Sequence, residues 1–302
     1  MTTAEAYAVC RAIAQREAKN FYYAFRVLPE HKRNAMCAVY AFMRRADDIA
    51  DDESMPIPER RTVMANWVAA WRVARISGAS DDPVFLALND TQRQFAIPDV
   101  LLEELVQGTT MDLDPQSTPA NQLQTFATFD DLYRYCYLVA SVVGLVCIRI
   151  FGYTDPQAEK LAEETGIAFQ LTNILRDVKE DAERGRIYLP LDLLNEFGVT
   201  LDRIHALAKG ASLQPNERAA LYVVGSGAEQ YYASADRLLR LIDADSRAAL
   251  WVLVTIYHRL LHKISAADSD VFSKRARVPT PEKLLILAQG AVMGLRNRGA
   301  SR

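Results

Sequence analysis

The sequence predicts an all-α protein that forms a single domain over residues 1–302. Apolar residues recur at helical spacing through most of the chain, and no sustained apolar–polar alternation bounded by turns indicates strands. Thirteen glycines in 302 residues are few, as expected for long helices with few tight turns. Half of the residues are hydrophobic, so a chain of this length can bury a large core.

The predicted helices follow one another between proline and glycine breaks. Thr2 and Glu5 have the spacing of a capping box, which predicts the start of the first helix. A second helix runs from about Glu30 through an acidic cluster, and Pro56 and Pro58 close the segment after it. Further helices are predicted at about 59–76, 82–92, 99–108, 129–150, 155–181, 215–241, 246–264 and 281–296.

Charge and hydropathy narrow the classes of function. The net charge is −3 and 24% of the residues are charged, which indicates neither disorder nor binding of nucleic acid. Charged residues such as Arg11 and Arg16 interrupt any early apolar stretch, so no signal peptide is expected. The longest uncharged apolar run, 135–148, is shorter than the ~20 residues of a membrane span. We therefore expect a cytoplasmic protein, with transient peripheral contact at the inner membrane face left open.

The four cysteines (Cys10, Cys37, Cys136 and Cys147) form no Cys-x-x-Cys pair. The last three lie in apolar runs, where buried thiols usually act as small hydrophobic side chains. We expect reduced cysteines rather than a disulfide or a metal site, in agreement with a reducing compartment.

Two acidic clusters are the most informative feature of the chain. Asp47 and Asp51 belong to the first, and Asp177 and Asp181 to the second. Side chains four residues apart lie on one helix face, where like charges destabilise a helix by roughly 0.2–0.5 kcal/mol per pair. A fold gains from two such pairs if a cation binds between them. The clusters offer oxygen ligands, which favours a hard divalent cation.

The second cluster extends into a polar line along its helix. Gln170, Asn173, Asp177 and Asp181 fall within a sector of roughly 80° when plotted at 100° per residue. An ordinary solvated helix face is the alternative for this motif alone. Together with the first cluster, it predicts two acidic helices that face one another across a cavity.

A phosphorylated ligand is the expected partner of such a site. Mg²⁺ usually combines one or two carboxylates with waters and substrate phosphate oxygens. Arginine can bind a phosphate through two hydrogen bonds at once. The basic residues near the clusters are Lys19, Arg44, Arg45, Arg176, Arg184 and Arg186.

Aromatic side chains form the third ingredient, at 21–25, 40–42 and 133–137. Each is by itself typical of core packing. In a dry cavity, however, their ring faces could stabilise a carbocation. Metal, phosphate and an aromatic cavity together indicate ionisation of a hydrocarbon diphosphate ester.

Five segments resemble the squalene/phytoene synthase family of head-to-head prenyltransferases, over nearly the whole chain. The segment 166–190 is the most specific, because chain-elongating synthases share the shorter acidic motif. Residues 34–52 and 268–279 look most like bacterial presqualene diphosphate synthases of hopanoid pathways. The matching segments are FYYAFRVLP (21–29), AVYAFMRRADDIADD (38–52), YCYLVASVVG (135–144), GIAFQLTNILRDVKEDAERGRIYLP (166–190) and VFSKRARVP (271–279).

The resemblance implies a class I isoprenoid synthase fold, with helices around a central apolar cavity. It implies Mg²⁺, with Mn²⁺ as an alternative. The implied metal ligands are Asp47, Asp51, Asn173, Asp177 and Asp181. These four aspartates, with Tyr135 and Arg44, are the implied catalytic residues. The implied substrate-binding residues are Lys19, Phe21, Tyr40, Arg45, Gln170, Asn173, Arg176, Tyr188, Tyr257, Arg275 and Lys283.

The chain departs from the family pattern at two places. Asn20 stands where the family usually has serine, and residues 108–113 read Gly-Thr-Thr-Met-Asp-Leu in place of Gly-Met-Glu-Met-Asp-Leu. Neither change touches an implied metal ligand. Both could alter how one substrate tail lies.

The implied reaction joins two farnesyl diphosphates into presqualene diphosphate, with release of diphosphate. NADPH is expected only if the chain continues to squalene. Synthesis of phytoene from two geranylgeranyl diphosphates, or of dehydrosqualene, is the alternative. Phe25 and Phe42 are expected to limit the pocket depth and so to favour the C15 substrate. Whether the protein is a monomer or a homodimer is left open.

Two readings from other classes compete with a prenyltransferase. A non-catalytic helical scaffold would show no stabilisation by Mg²⁺ with a diphosphate analogue. A di-metal oxidase is suggested by His258 and His262, which are four residues apart. The Glu-x-x-His pairs of di-iron bundles are missing from the sequence, so ordinary histidines are favoured.

Overall fold

The computed structural model describes residues 1–113 and 124–300, which are almost wholly helical. The helices are α1 (Thr3–Glu17), α2 (Lys19–Phe25), α3 (Glu30–Ala50), α4 (Ile57–Ser77), α5 (Pro83–Gln94), α6 (Asp99–Thr110), α7 (Phe129–Cys136), α8 (Val142–Phe151), α9 (Gln157–Glu183), α10 (Leu191–Glu196), α11 (Leu201–Ala208), α12 (Pro215–Leu241), α13 (Arg247–Ala266) and α14 (Thr280–Ala300). The predicted all-α class is confirmed.

The predicted helices are all present, and their ends lie close to the predicted ones. Thr2 caps α1 as expected: its hydroxyl accepts from the backbone N–H of Glu5, and the Glu5 carboxylate accepts from the N–H of Thr2 at 2.7 Å. The sequence analysis missed the short helices α2, α10 and α11, each of eight residues or fewer. Helices this short carry too few turns to establish a 3.6-residue period.

The helix predicted over 129–150 is interrupted. Residues Tyr137–Ser141 form a π-helical turn between α7 and α8. Two glycines allow neighbouring helices to approach this turn closely. A Cβ atom on Gly108 of α6 would lie 2.6 Å from the Leu138 carbonyl oxygen, and one on Gly166 of α9 would lie 2.5 Å from the Ser141 Cα. Such turns are frequent at functional sites.

One expectation about strands is wrong in detail. Residues Gln124–Thr125 (β1) pair in parallel with Arg186–Ile187 (β2). Two residues per strand are too few to produce a recognisable alternation in the sequence. The pair ties the chain before α7 to the segment that follows α9.

Helix α9 runs through the centre of the fold. It packs against α7, α8, α11, α12 and α13. Along its length Ile167, Ala168, Leu171 and Leu175 have no exposed side-chain surface. The main cluster of described core residues extends from α1 to α13. The single domain over residues 1–302 stays a prediction.

The burial expected of Cys37 and Cys136 is confirmed. All four cysteines are free, with Cys10, Cys37 and Cys136 buried and Cys147 half-buried. Burial raises the pKa of the Cys147 thiol to about 12, so this group stays protonated at neutral pH.

By length and composition, one described segment could cross a membrane. It is Phe129–Phe151, with a mean hydropathy of 1.7, and half of its most apolar window is buried inside the protein. Burial against α9 is typical of a core helix, so this finding is weak support for a membrane span. The cytoplasmic location and the transient contact with the inner membrane face stay predictions.

Candidate active site

The two acidic clusters line one cavity of about 540 Å³. Asp47 and Asp51 reach it from the end of α3, and Asp177 and Asp181 reach it from α9. We call this space the acidic cavity. The prediction that two acidic helices face one another across a cavity is confirmed.

Within the first cluster, Asp47 and Asp51 lie on the same side of α3, as their four-residue spacing predicts. Asp48 and Asp52 instead line a separate pocket, which α3 forms with residues of α1 and α4. Asp48 pairs with Arg44 at 2.7 Å, and Asp52 accepts from the Ser54 backbone N–H at 3.0 Å.

Both clusters lie at the carboxyl ends of their helices. Helix α3 ends at Ala50, with Asp51 as its C-cap, and α9 ends at Glu183, two residues after Asp181. The helix macrodipole places partial negative charge at this end. The carboxylates therefore add to a negative potential from two helices, which a bound cation would relieve.

Arginines partly neutralise the second cluster. The Arg176 side chain donates to Asp177 at 2.8 Å, and the Arg275 side chain donates to the same carboxylate at 3.0 Å. Burial of Asp177 opposes its ionisation, but the two arginines outweigh burial and hold its pKa below the ordinary value. Arg275 also lies 3.3 Å from Glu180.

Two further observations fit a cation at this place. Burial, together with the charge of Asp177, raises the pKa of Asp181 to about 6. Among the described residues, the buried Oδ1 atom of Asn173 has no hydrogen-bond partner. An oxygen-only donor set, with an unsatisfied amide oxygen and a carboxylate whose ionised form is disfavoured by burial and by a like charge, matches the preference of Mg²⁺ or Mn²⁺.

A second cavity, of about 510 Å³, adjoins the acidic one. We call it the apolar cavity, because aromatic and aliphatic side chains from α2, α3, α8, α9 and α13 form most of its lining. Phe25 and Phe169 are among them, and Arg44 and Tyr40 lie on its polar side. Residues that line both cavities are Met43, Asp47, Val139, Val143, Gln170, Asn173 and Arg176.

Aromatic rings border both spaces. In the acidic cavity, Tyr135 stacks on Tyr188 with ring centroids 5.1 Å apart. In the apolar cavity, Tyr257 stacks on Phe169 at 4.4 Å. Burial raises the pKa of Tyr257, and a hydrogen bond from Asn173 opposes that shift. Ring faces such as these attract positive charge.

The structure brings most of the predicted site residues together. Lining one or both cavities are Asp47, Asp51, Asp177, Asp181, Tyr135, Arg44, Phe21, Tyr40, Gln170, Asn173, Arg176, Tyr188 and Tyr257. Arg275 joins them through its contact with Asp177. Burial and the charge of Arg176 lower the pKa of Lys283, so this side chain also lies near the site.

Three predicted residues require separate comment. Arg45 is exposed and lines the separate pocket beside α1 and α4 rather than either cavity, because it follows Arg44 by one residue and points to another helix face. The prediction that Phe42 limits the pocket depth is wrong. Its ring packs within the core against Trp67, with ring centroids 4.8 Å apart. The Lys19 side chain lies outside the described residues.

The sequence analysis missed part of the cavity wall. Val139, Val143 and Cys147 follow one another at four-residue spacing and line the apolar cavity. They belong to the apolar run 135–148, which the sequence analysis weighed as a membrane span and, over 135–144, as a matching segment, without naming these three residues as part of a site. Its helical period was the available signal.

Fold and site together define the class: an all-α enzyme with a carboxylate-lined cavity opening onto an apolar one. The model of the squalene/phytoene synthase family matches residues 14–282. This chain belongs to that family. It is a prenyltransferase of the squalene/phytoene synthase type, and its family condenses prenyl diphosphates head to head.

Curated relatives cover almost the whole chain. A phytoene synthase of Mycobacterium tuberculosis is 36% identical over 286 residues, which cover 94% of this chain and 90% of the relative. A 15-cis-phytoene synthase of Synechococcus elongatus is also 36% identical, over 301 residues covering 94% and 91%.

Solved structures share the fold. A dehydrosqualene synthase in complex with a ligand superposes with a TM-score of 0.82 and 29% identity, covering 96% of each chain. The squalene synthase HpnC from Alicyclobacillus acidocaldarius superposes with a TM-score of 0.78 and 26% identity, covering 88% of this chain and 95% of that one. The predicted isoprenoid synthase fold is confirmed.

Proposed function

We propose that the protein condenses two geranylgeranyl diphosphates head to head, through a cyclopropyl diphosphate, to phytoene. The observation that carries this proposal is the shared wall between the acidic cavity and the apolar cavity. A diphosphate held through a cation between Asp47 and Asp177 would have its hydrocarbon tail beside Phe25 and Phe169. Relatives 36% identical to this chain bear the name phytoene synthase.

Mg²⁺ is the proposed cofactor, held by Asp47, Asp51, Asn173, Asp177 and Asp181. When bound, it would neutralise charge on the departing diphosphate. Three observations support this assignment: the oxygen-only donor set, the raised pKa of Asp181 and the unpartnered Asn173 oxygen. Mn²⁺ fits the same donors.

Basic side chains would bind the diphosphate oxygens that the carboxylates repel. Arg176 lines both cavities, and among the described residues the buried Nε atom of Arg44 has no hydrogen-bond partner. Both groups can donate to an anionic oxygen as the carbon–oxygen bond breaks. Arg275 and Lys283 lie close enough to add to this binding.

The apolar cavity would protect the allylic cation that forms when diphosphate leaves. Water would quench this cation, so an aromatic and aliphatic lining is required. The C2–C3 double bond of the second substrate attacks the cation, and loss of a proton closes the cyclopropane. Tyr135 and the released diphosphate are the two candidates to accept that proton. Departure of the remaining diphosphate, rearrangement of the cyclopropyl cation and loss of a second proton would then give phytoene.

Two farnesyl diphosphates are the second candidate substrate pair. The resemblance at 34–52 and 268–279 favours this pair, and dehydrosqualene and squalene synthases are among the similar structures. Phe25 lines the apolar cavity and is 3% exposed, so it narrows the space for a tail. Presqualene diphosphate, dehydrosqualene or squalene would be the product, and squalene requires NADPH.

Incubation with each prenyl diphosphate and Mg²⁺, with and without NADPH, tests both candidates when products are identified by mass spectrometry. We expect phytoene from the C20 substrate without NADPH, and loss of turnover on chelation of Mg²⁺. Efficient turnover of the C15 substrate alone would select the second candidate. Absence of product from both, with no thermal stabilisation by Mg²⁺ and a diphosphate analogue, would favour a non-catalytic scaffold.

Replacing Phe25 by leucine is expected to change chain-length preference. A smaller side chain enlarges the apolar cavity, and a few methylene groups change discrimination by about tenfold. We expect the ratio of kcat/KM for the C20 over the C15 substrate to rise by about that factor. Phe42→Leu is the matched control, since it removes the same volume from the core outside both cavities. An equal ratio in the two variants would contradict the role of Phe25.

A further inference from the structure

We propose that Glu229, His258 and His262 bind one Zn²⁺ ion, at a site separate from the acidic cavity. Glu229 belongs to α12, and the two histidines belong to α13, so the ion would join two helices. None of the three residues lines the acidic or the apolar cavity. The Zn²⁺ site is therefore independent of the proposed reaction.

The ligand atoms are already assembled. His258 and His262 stand one helical turn apart, with ring centroids separated by 4.2 Å. The Nε2 atom of His258 lies 2.8 Å from Oε1 of Glu229, and the Nε2 atom of His262 lies 3.7 Å from Oε2. One potential ligand atom from each residue lies within 4.8 Å of the other two.

Neighbouring contacts hold the site in place. The His258 ring stacks on Tyr232 of α12, with centroids 4.3 Å apart and planes 17° from parallel. The Tyr232 hydroxyl is within 3.0 Å of the Thr172 hydroxyl on α9. These two contacts fix the orientation of the His258 imidazole before any ion binds, which lowers the entropic cost of binding. The Glu229 side chain is about half exposed, so an ion can reach the site from solvent.

The donor set identifies the class of ion. Two imidazoles and one carboxylate suit Zn²⁺ and its neighbours in the transition series, whereas the all-oxygen acidic cavity suits Mg²⁺. Three protein ligands leave a fourth tetrahedral position for water. The two proposed metal sites therefore differ in the class of ion that their ligands favour.

An ion pair between Glu229 and a protonated His258 is the competing account of the same geometry. It explains the 2.8 Å contact of His258, whereas the 3.7 Å contact of His262 with the same carboxylate is too long for a hydrogen bond. Zn²⁺ binding requires both histidines in their neutral form. Replacing His262, which is 57% exposed, therefore discriminates between the two accounts without disturbing the core.

The experiment is calorimetric titration of tag-free protein with Zn²⁺ at neutral pH, in the presence of excess Mg²⁺ to occupy the acidic cavity. We expect one Zn²⁺ per chain in the wild type. His262→Gln and Glu229→Gln should each lower the affinity by at least about tenfold, because even the loss of an outer-shell partner costs 10–100-fold. Co²⁺ titration should give a visible absorption band that Zn²⁺ abolishes.

His205→Gln is the matched control, since His205 belongs to α11 and takes no part in the cluster. It should retain wild-type stoichiometry and affinity. Weak or absent Zn²⁺ binding by the wild type would overturn the proposal, and so would equal binding by the wild type and His262→Gln. Because the titration uses no prenyl diphosphate, its result is independent of the proposed reaction.

Discussion

Replacing Asp177 by asparagine is expected to lower kcat by about 10²–10³-fold, the loss typical of one preorganised electrostatic group. The amide keeps the size of the carboxylate but loses its charge. Asp177 is the carboxylate on which Arg176 and Arg275 converge, and it faces Asp47 across the acidic cavity. Without its charge, the α9 side of the site would bind both the cation and the arginines weakly.

The measurement is initial rate against Mg²⁺ concentration at saturating prenyl diphosphate. A role in Mg²⁺ binding predicts that high Mg²⁺ restores part of the lost rate, whereas a purely structural role predicts no dependence. Asp236→Asn is the matched control, because Asp236 lies on α12 with an exposed side chain. Wild-type turnover by Asp177→Asn, with an unchanged Mg²⁺ optimum, would refute the assignment of α9 to the metal.

The sequence predicted the local part of the site from helical geometry. Because a helix brings residues four apart to one face, Asp47 and Asp51 could be separated from Asp48 and Asp52 without coordinates. The pairing of α3 with α9 was a weaker inference, based on the repeated acidic motif and on the family resemblance. The cavity that contains both clusters confirms it.

Other parts of the site depend on tertiary contacts that no local pattern encodes. Arg275 approaches Asp177 from 98 residues away in the chain. Phe25 and Phe42 look alike in sequence, but only Phe25 reaches the apolar cavity, whereas Phe42 meets Trp67 and Trp71. Such assignments require knowing which helix packs beside which.

The π-helical turn is the clearest case of a feature hidden in the sequence. Residues Tyr137–Ser141 continue a helical apolar pattern without a break, so a regular helix was predicted. The turn places Leu138 and Val139 on the wall of the acidic cavity. Gly108 and Gly166 mark it only indirectly, because each lets another helix backbone come close.

Replacing Gly166 by alanine is therefore expected to be strongly destabilising. Alanine favours a helix interior by about 1 kcal/mol over glycine. Here, however, its Cβ would lie 2.5 Å from Cα and 2.7 Å from the backbone nitrogen of Ser141. Backbone atoms cannot rotate away as a side chain can, so α9 and the turn must separate. Overpacking of this kind costs about 1–3 kcal/mol or more.

Thermal unfolding of Gly166→Ala beside Gly227→Ala isolates this clash from helix propensity. Gly227 lies in α12. Apart from its chain neighbours and the nearby backbone of its own helix, no described atom would lie within 4 Å of a Cβ there. Gly227→Ala should raise Tm slightly, whereas Gly166→Ala should lower it by several degrees. In domains of about 150–250 residues, 1 kcal/mol of stability corresponds to about 2–4 °C in Tm. Gly166→Ala should also lose activity below its Tm, because Gln170 lies one turn further along α9 at both cavities. If both variants were stabilised alike, the close approach of α9 to the turn would be wrong, and with it the geometry that places both Val139 and Gln170 at the two cavities.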